Sequence, residues 1–361
     1  MRRALVLNVG SSSLKWSVLE EASREASASR TVSWSPGETI AAAFERCVGD
    51  VGSVEAIGHR FVHGGSKFTS SVRVDDAVRA ELGDLVVLDP LHMRPAVEVL
   101  DLARRRWPGV PQVAAFDTAF HATLPEEAAR YAIPREWTAE GTVRRYGFHG
   151  LSVDHAVERT RSMLGEMPPR MLVLHLGSGC SITAVASGRS IDTTMGFTPL
   201  EGVMMGTRSG SVDPGLVLHV MTTLGLDAAA MREGLESRSG LLGVSGSSDL
   251  RVVLKEADSG AAGAKLGYAM FVHSVRRGAG GMLGSLGGVD ALVFTGGAGE
   301  NSPRLRGDVA AAFAFAGVEI DPVANEGCTP DASIGRGRVP TVVVKAREDL
   351  VILREIRGLG L

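Results

Sequence analysis

Residues 4–18, ALVLNVGSSSLKWSV, and residues 171–185, MLVLHLGSGCSITAV, follow one pattern. Each runs four apolar residues, one polar, one apolar, a glycine, small residues and then a second alternating strand. The offset is 167 residues, nearly half of the 361-residue chain, and the two align without a gap. A strand–turn–strand unit repeated at that distance reads as a duplicated β-hairpin, one copy opening each of two related domains. The length agrees, at roughly 100–200 residues per domain. Apolar runs at 55–61, 110–116, 290–296 and 339–345 read as further strands. Helical periodicity covers 93–107, 151–164, 214–223 and a long stretch near 260–285. Strands alternating with helices predict α/β domains with mixed sheets. No Pro-rich linker or charge run separates the halves, so the join is expected to be tight, near residue 118, with a cleft between the domains.

Composition removes several classes of function. With 44% hydrophobic and 22% charged residues the chain is globular rather than disordered, and a net charge of -3 argues against a nucleic-acid coat. No stretch approaches the ~20 apolar residues of a membrane span, and the apolar run at the N-terminus is too short for a signal peptide. Cys47, Cys180 and Cys328 are odd in number and widely spaced, as expected of reduced thiols in a cytoplasmic protein. The 38 basic residues comprise five Lys and 33 Arg, which draws attention to each lysine that remains.

One of these is Lys15, at the end of Asn8-Val9-Gly10-Ser11-Ser12-Ser13-Leu14-Lys15 in the first hairpin. Glycine and hydroxylic residues let backbone N–H groups approach a phosphate. The segment lacks the glycine spacing of a P-loop and, taken alone, reads equally well as a Ser-rich turn. His175-Leu176-Gly177-Ser178-Gly179 repeats the device, and Gly296-Gly297-Ala298-Gly299-Glu300-Asn301 follows a strand and precedes a helical pattern. Three such loops suggest a nucleotide. Arg60 and Arg208 stand in glycine-framed segments, GHRFVHGG and MGTRSG, suited to aiming a planar guanidinium at an anion. Ser247-Ser248-Asp249-Leu250-Arg251 reads as a capped helix start. Asp117, His121, His149 and Glu348 complete the candidates, although a lone histidine is more often a packing residue. His59 and His63 are too far apart along a strand for a zinc pair.

The motifs NVGSSSLK, HRFVHGG, FDTAFHATLP, RRYGFHG, HLGSG, DTTMGFTPLEGVMMGTRSG, SGLLGVSGSSDLR and FTGGAGEN occur in the order found in the acetate kinases. The chain resembles that family, part of the acetate-and-sugar-kinase and actin superfamily. The resemblance implies two duplicated ribonuclease H-like (actin-like ATPase) domains with an interdomain cleft. Their expected extents are 1–118 with a C-terminal helix at about 350–361, and 119–349, which would carry the nucleotide. It implies transfer from ATP to acetate, giving acetyl phosphate and ADP, with Mg²⁺ or Mn²⁺, by a cytoplasmic homodimer. By motif position, Arg60, Asp117, His149 and Arg208 are catalytic, and Val62, Leu91, Phe148 and Pro199 wall the acyl pocket. Asn8 and Glu348 lie on the metal side. Ser11, Ser13, Lys15, His175, Gly177, Ser178 and Gly179 face phosphates. Asp249, Leu250, Arg251, Gly297, Ala298, Gly299, Glu300 and Asn301 hold adenosine. Alternatives are a propionate or butyrate kinase, and a nucleotide-binding regulatory protein impaired in transfer.

The chemistry is coherent without the name. Acetate is ionised at pH 7, so the nucleophile needs no general base. The obstacle is repulsion between a carboxylate and a polyanionic phosphate, which two arginines relieve. Ser178 stands where the family usually has Asn, Met93-Arg94-Pro95-Ala96 replace an Asn-Pro segment, Ser211 replaces an Asp, and Ala298 replaces a larger aliphatic residue. The chain is also shorter than its family norm, mostly between Lys15 and Arg60.

Overall fold

The computed structural model describes residues 3–10, 13–20, 25–34, 37–138 and 141–361. The chain divides into two compact units. One takes the chain to Ala122 together with Phe148–His155 and Arg347–Leu361, and the other holds Thr123–Gly147 and Ala156–Ala346. The first unit thus takes in the C-terminal segment as well as a short stretch, Phe148–His155, that lies in sequence between the two segments of the second unit.

The first unit is built on a six-stranded sheet ordered β3-β2-β1-β4-β6-β5. Its strands are β1 (Arg3–Val9), β2 (Ser13–Glu20), β3 (Ala28–Ser33), β4 (Ala56–Phe61), β5 (Val72–Arg73) and β6 (Gln112–Phe116). β1, β4 and β6 run parallel, β1–β3 form an antiparallel meander, and β5 closes the edge antiparallel to β6. Core lies on both faces, which explains the unbroken apolar runs of β1 and β6. On one face the Ile40–Val48 and Pro90–Arg106 helices pack with Phe44, Leu100, Phe61 and Phe116. On the other the Glu348–Gly358 helix brings Val351, Ile352 and Ile356 against Ala4, Val6 and Ala115. That approach needs a glycine at position 58, because a Cβ there would stand 2.2 Å from Ile352 Cγ2.

The second unit repeats the plan. Its strands are β7 (Arg170–Leu176), β8 (Cys180–Ala186), β9 (Arg189–Thr193), β10 (Ala291–Thr295), β11 (Ala332–Ser333) and β12 (Thr341–Val343), in the order β11-β12-β10-β7-β8-β9. β7, β10 and β12 are parallel, and β7–β9 form the antiparallel meander. The long Ala262–Leu286 helix packs across β7–β9. No described helix is long and apolar enough to cross a membrane.

Candidate active site

In the first unit four polar side chains gather at the C-terminal ends of the parallel strands, where open α/β sheets bind ligands. Asn8 is the sixth residue of β1 and sits in register with Arg60 on β4. Asp117 follows β6 directly, its N–H donating to the Phe61 carbonyl at 2.9 Å. Glu348 is the first residue of the C-terminal helix. The Arg60 guanidinium forks onto Asp117, with Nε to Oδ1 at 2.9 Å and Nη2 to Oδ2 at 2.5 Å. Its Nη1 donates to Asn8 Oδ1 at 3.0 Å, and Asn8 Nδ2 donates to Glu348 Oε2 at 2.9 Å. Glu348 Oε2 also lies 3.3 Å from Arg60 Nε. Asp117 is 1% exposed.

Burial pushes the Asp117 carboxyl up to about 6 and outweighs the pull of Arg60, with Glu348 adding a smaller upward push from its negative charge. Burial works against the charge on Arg60 as well, but Asp117 and Glu348 together outweigh it and raise its pKa. Two carboxylates and one guanidinium leave the cluster one negative charge in excess, with hard oxygen donors only. Among the described residues no cluster of three or more His, Cys, Asp or Glu is placed to hold a metal alone. One carboxylate and an amide oxygen fit Mg²⁺, which is commonly bound by one or two carboxylates, waters and substrate phosphates.

His149 is brought to this cluster by the backbone of the next residue, Gly150, which meets Asp117. His149 adopts a left-handed φ of 60°, uncommon for a residue with a side chain. The conformation is held from both sides. Gly150 N–H donates to the Asp117 carbonyl at 2.8 Å, and His121 Nε2 donates to the Phe148 carbonyl at 2.9 Å. His121 is 1% exposed, and burial lowers its pKa to about 4, so at neutral pH it is an uncharged donor. Its motif was legible, but its partner lies 27 residues ahead and the hydrogen bond was not.

Val62 is buried just beyond β4, and the buried Phe148 ring meets His63 edge-on at 5.5 Å. Leu91 is half-exposed at the start of the Pro90–Arg106 helix. Lys15 is exposed on β2 in register with Asn8, so the two share a sheet face. Ser13 begins β2 and its carbonyl accepts from Gly10 N–H at 2.7 Å. Ser11 lies outside the described residues.

The second unit assembles backbone instead of charge. His175 is the half-buried sixth residue of β7, and the turn after it closes with Gly177 N–H donating to the Gly179 carbonyl at 3.0 Å. The Ser178 carbonyl accepts from Gly206 N–H at 3.2 Å, which ties this turn to the segment carrying Arg208. Arg208 Nη1 donates to the Pro199 carbonyl at 3.3 Å. Asp249 caps the Leu250–Asp258 helix, and Arg251 folds back on it with Nε at 3.0 Å and Nη2 at 2.6 Å. Those hydrogen bonds pull the Asp249 carboxyl down to about 2.

The segment at 296–301 differs from the open loop expected before a helix. Gly296 takes φ +78°, and Gly296–Asn301 is itself a short helix, followed by the Pro303–Ala310 helix. Two side chains stabilise it. Asn301 Nδ2 donates to the Gly297 carbonyl at 2.8 Å, and Arg306 Nη1 donates to the carbonyls of Gly299 and Glu300 at 2.9 and 2.8 Å. Arg306 is 1% exposed, and its other donors go to Asn325 Oδ1 and O, both at 2.7 Å. It thus neutralises carbonyl ends rather than a carboxylate, and burial lowers its pKa. Glu300 Oε1 is engaged by Ala346 N–H at 2.9 Å, and burial raises its pKa. Arg306 was missed from the sequence because Asn325 is 19 residues away and no local motif surrounds it. Gly297 stays exposed and Ala298 half-buried, so the first turn of this helix is open to a ligand.

Comparison with known proteins identifies the family. The family profile described as the acetokinase family matches residues 38–354. The acetate kinase of Trichormus variabilis is 42% identical over 322 residues, covering 88% of this chain and 79% of that protein. The crystal structure of Porphyromonas gingivalis acetate kinase superimposes with a TM-score of 0.90 at 34% identity, covering 100% of both chains. A propionate kinase from Francisella tularensis subsp. tularensis SCHU S4 matches with a TM-score of 0.90 at 35% identity, covering 98% of this chain and 99% of that one. Both units carry the actin-like ATPase fold, and the chain belongs to the acetokinase family, kinases that transfer phosphate to acetate.

Proposed function

We propose that the protein catalyses reversible, direct in-line transfer of the γ-phosphoryl group of ATP to acetate. An acetate oxygen forms the new bond to phosphorus while the bond to the ADP oxygen breaks, so acetyl phosphate and ADP leave with no proton to place. The observation that carries this reading is the Arg60–Asp117 fork at the strand ends, flanked by Asn8 and Glu348. It offers a fixed cation to an anionic nucleophile and contains no neutral general base, which a carboxylate does not need. Asp117 holds Arg60 in one orientation. Arg208 neutralises charge on the phosphoryl oxygens, and His149 donates a hydrogen bond to the transferring group.

Asn8 and Glu348 would hold Mg²⁺, whose chemistry is to neutralise the nucleotide's phosphate oxygens. Ser13, Lys15 and the 177–179 turn receive phosphates. Asp249, Arg251 and the first turn at 297–298 hold the nucleoside, with Glu300 and Asn301 shaping that turn rather than touching it. Val62, Leu91, Phe148 and Pro199 bound the acyl group. A homodimer is supported by the Pro214–Leu224 helix, an apolar segment none of whose residues is buried.

The similarity to a propionate kinase favours one second reading, a three-carbon acceptor. Trapping acyl phosphate as hydroxamate, with ATP and Mg²⁺ and with acetate, propionate or butyrate, tests both. Acetate is expected to give the highest kcat/KM. Product with propionate but not acetate would replace the acceptor, and no product with any acid would overturn the kinase reading in favour of a nucleotide-binding regulator.

A further inference from the structure

The second unit contains a cavity of about 340 Å³ whose wall includes Ser211, three residues beyond Arg208, and which none of the roles above uses. Thr194 Oγ1, Ser211 Oγ and Ser274 Oγ each accept a backbone N–H, from Ile182 at 3.0 Å, Gly202 at 3.0 Å and Met204 at 2.8 Å. A hydroxyl fixed through its lone pair still has its own O–H to give. Arg277, from the Ala262–Leu286 helix, adds a guanidinium that makes no hydrogen bond or ion pair with the described residues. Arg145 also lines the wall but is already committed, to the Thr193, Thr194 and Met195 carbonyls and to Glu201. The remaining charge is Asp192, a carboxylate held by Thr193 N–H and Ser285 Oγ and more than ion-pair distance from any described cation.

We propose that this cavity binds hydrogen phosphate. Arg277 and the three hydroxyls donate to the bare oxygens, and the phosphate O–H donates to Asp192. That pairing of donors with one carboxylate rejects sulfate, which carries no proton at neutral pH and would face Asp192 with charge against charge. Ser211 is decisive. An aspartate there, as the family usually has, would place a second carboxylate in the wall and repel the same ligand. Because Ser209 and Ser211, which follow Arg208, line the cavity, occupancy would stiffen the Arg208 turn.

Isothermal titration of the full-length protein with inorganic phosphate, sodium sulfate and glycerol phosphate tests this independently of the phosphotransfer reading. Phosphate is expected to bind at least tenfold tighter than sulfate. Arg277→Ala and Ser211→Asp should each weaken phosphate at least tenfold, while Asp192→Asn should bring sulfate to within about threefold of phosphate. Rates of acyl phosphate formation without added phosphate should stay within twofold in Arg277→Ala. Glycerol phosphate, whose dianion at neutral pH has no P–O–H to give Asp192, should bind as weakly as sulfate; binding as tight as that of inorganic phosphate overturns the Asp192 pairing. Equal phosphate and sulfate affinity in the wild type, or an unchanged phosphate titration in Arg277→Ala, overturns the proposal. Should that variant not fold, an unchanged titration in Ser211→Asp does so.

Discussion

Asn8 in β1 and His175 in β7 occupy the same seat, the half-buried sixth position of strands with one burial pattern. Read from its other edge, the second sheet runs β9-β8-β7-β10-β12-β11, matching β3-β2-β1-β4-β6-β5 strand for strand. The neighbour of Asn8 in register is Arg60, whereas that of His175 is Thr295. One scaffold therefore offers the same strand ends twice and fills them differently. The first unit concentrates ionised side chains there, and the second presents turns and a short helix. Charged side chains suit a small carboxylate that must be oriented, and backbone donors suit extended phosphates. The difference predicts that substitutions in the two units fail in different kinetic constants.

The largest effect is expected in the first unit. Arg60→Ala should lower kcat by at least about 10²-fold, since arginines facing a transferring phosphoryl group contribute roughly 10³–10⁵ elsewhere. It also leaves Asp117 buried without its fork, a loss that costs roughly 3–5 kcal/mol in comparable pairs. Steady-state rates should therefore be taken where circular dichroism shows the native fold. Near-normal turnover would remove the charged cluster from the mechanism.

In the second unit the matching experiment is Arg306→Met. The carbonyls of Gly299, Glu300 and Asn325 lose their donor, which costs about 1–3 kcal/mol per buried group left unsatisfied. The KM for ATP is expected to rise about tenfold, equivalent to ~1.4 kcal/mol, with the KM for acetate within twofold. A parallel rise in both constants would show that the short helix does not act on the nucleotide alone.

A pH profile separates the units further. As pH falls through about 6, Asp117 takes up a proton and its hold on Arg60 weakens. The kcat/KM for acetate should then drop toward tenfold per pH unit on the acid side. The sign for stability is opposite. The folded carboxyl binds its proton more tightly than the ordinary value of 3.8, so acidification from 6 toward 3.8 favours the folded state through this group. Activity should be lost between pH 6 and 5 while the melting temperature holds. Coincident loss of both would assign the acid limb to unfolding.

How far these differences could be read from the sequence follows from how local their causes are. The duplicated hairpins, the strand-terminal loops and the placement of Arg60 at a strand end all depend on patterns within about ten residues, and they were legible. Glu348 beside Arg60 was not, because it requires the last helix to lie on β4 across Gly58. The glycines of the helix at 296–301 are poor helix formers and read as a loop in sequence, and Arg306 supplies the support they lack. His121 and Arg306 share a physical signature, a buried polar group that donates to a backbone carbonyl far along the chain, Phe148 and Asn325 respectively. Side-chain chemistry leaves a mark in sequence, but a carbonyl partner does not.

The smallest expected effect concerns the acceptor. Val62 is buried at the exit of β4, next to the buried His63 that meets Phe148. Val62→Ala removes two methyl groups from the wall without touching the charged cluster. Room for one methylene is worth about 1–3 kcal/mol at most, and the gap will be shared with solvent, so the lower end applies. The ratio of kcat/KM for propionate over acetate should rise about three- to tenfold, with kcat for acetate within threefold. Hydroxamate assays on both acids read this directly. An unchanged ratio would place the acyl group away from Val62 and leave the selectivity to Leu91, Phe148 and Pro199.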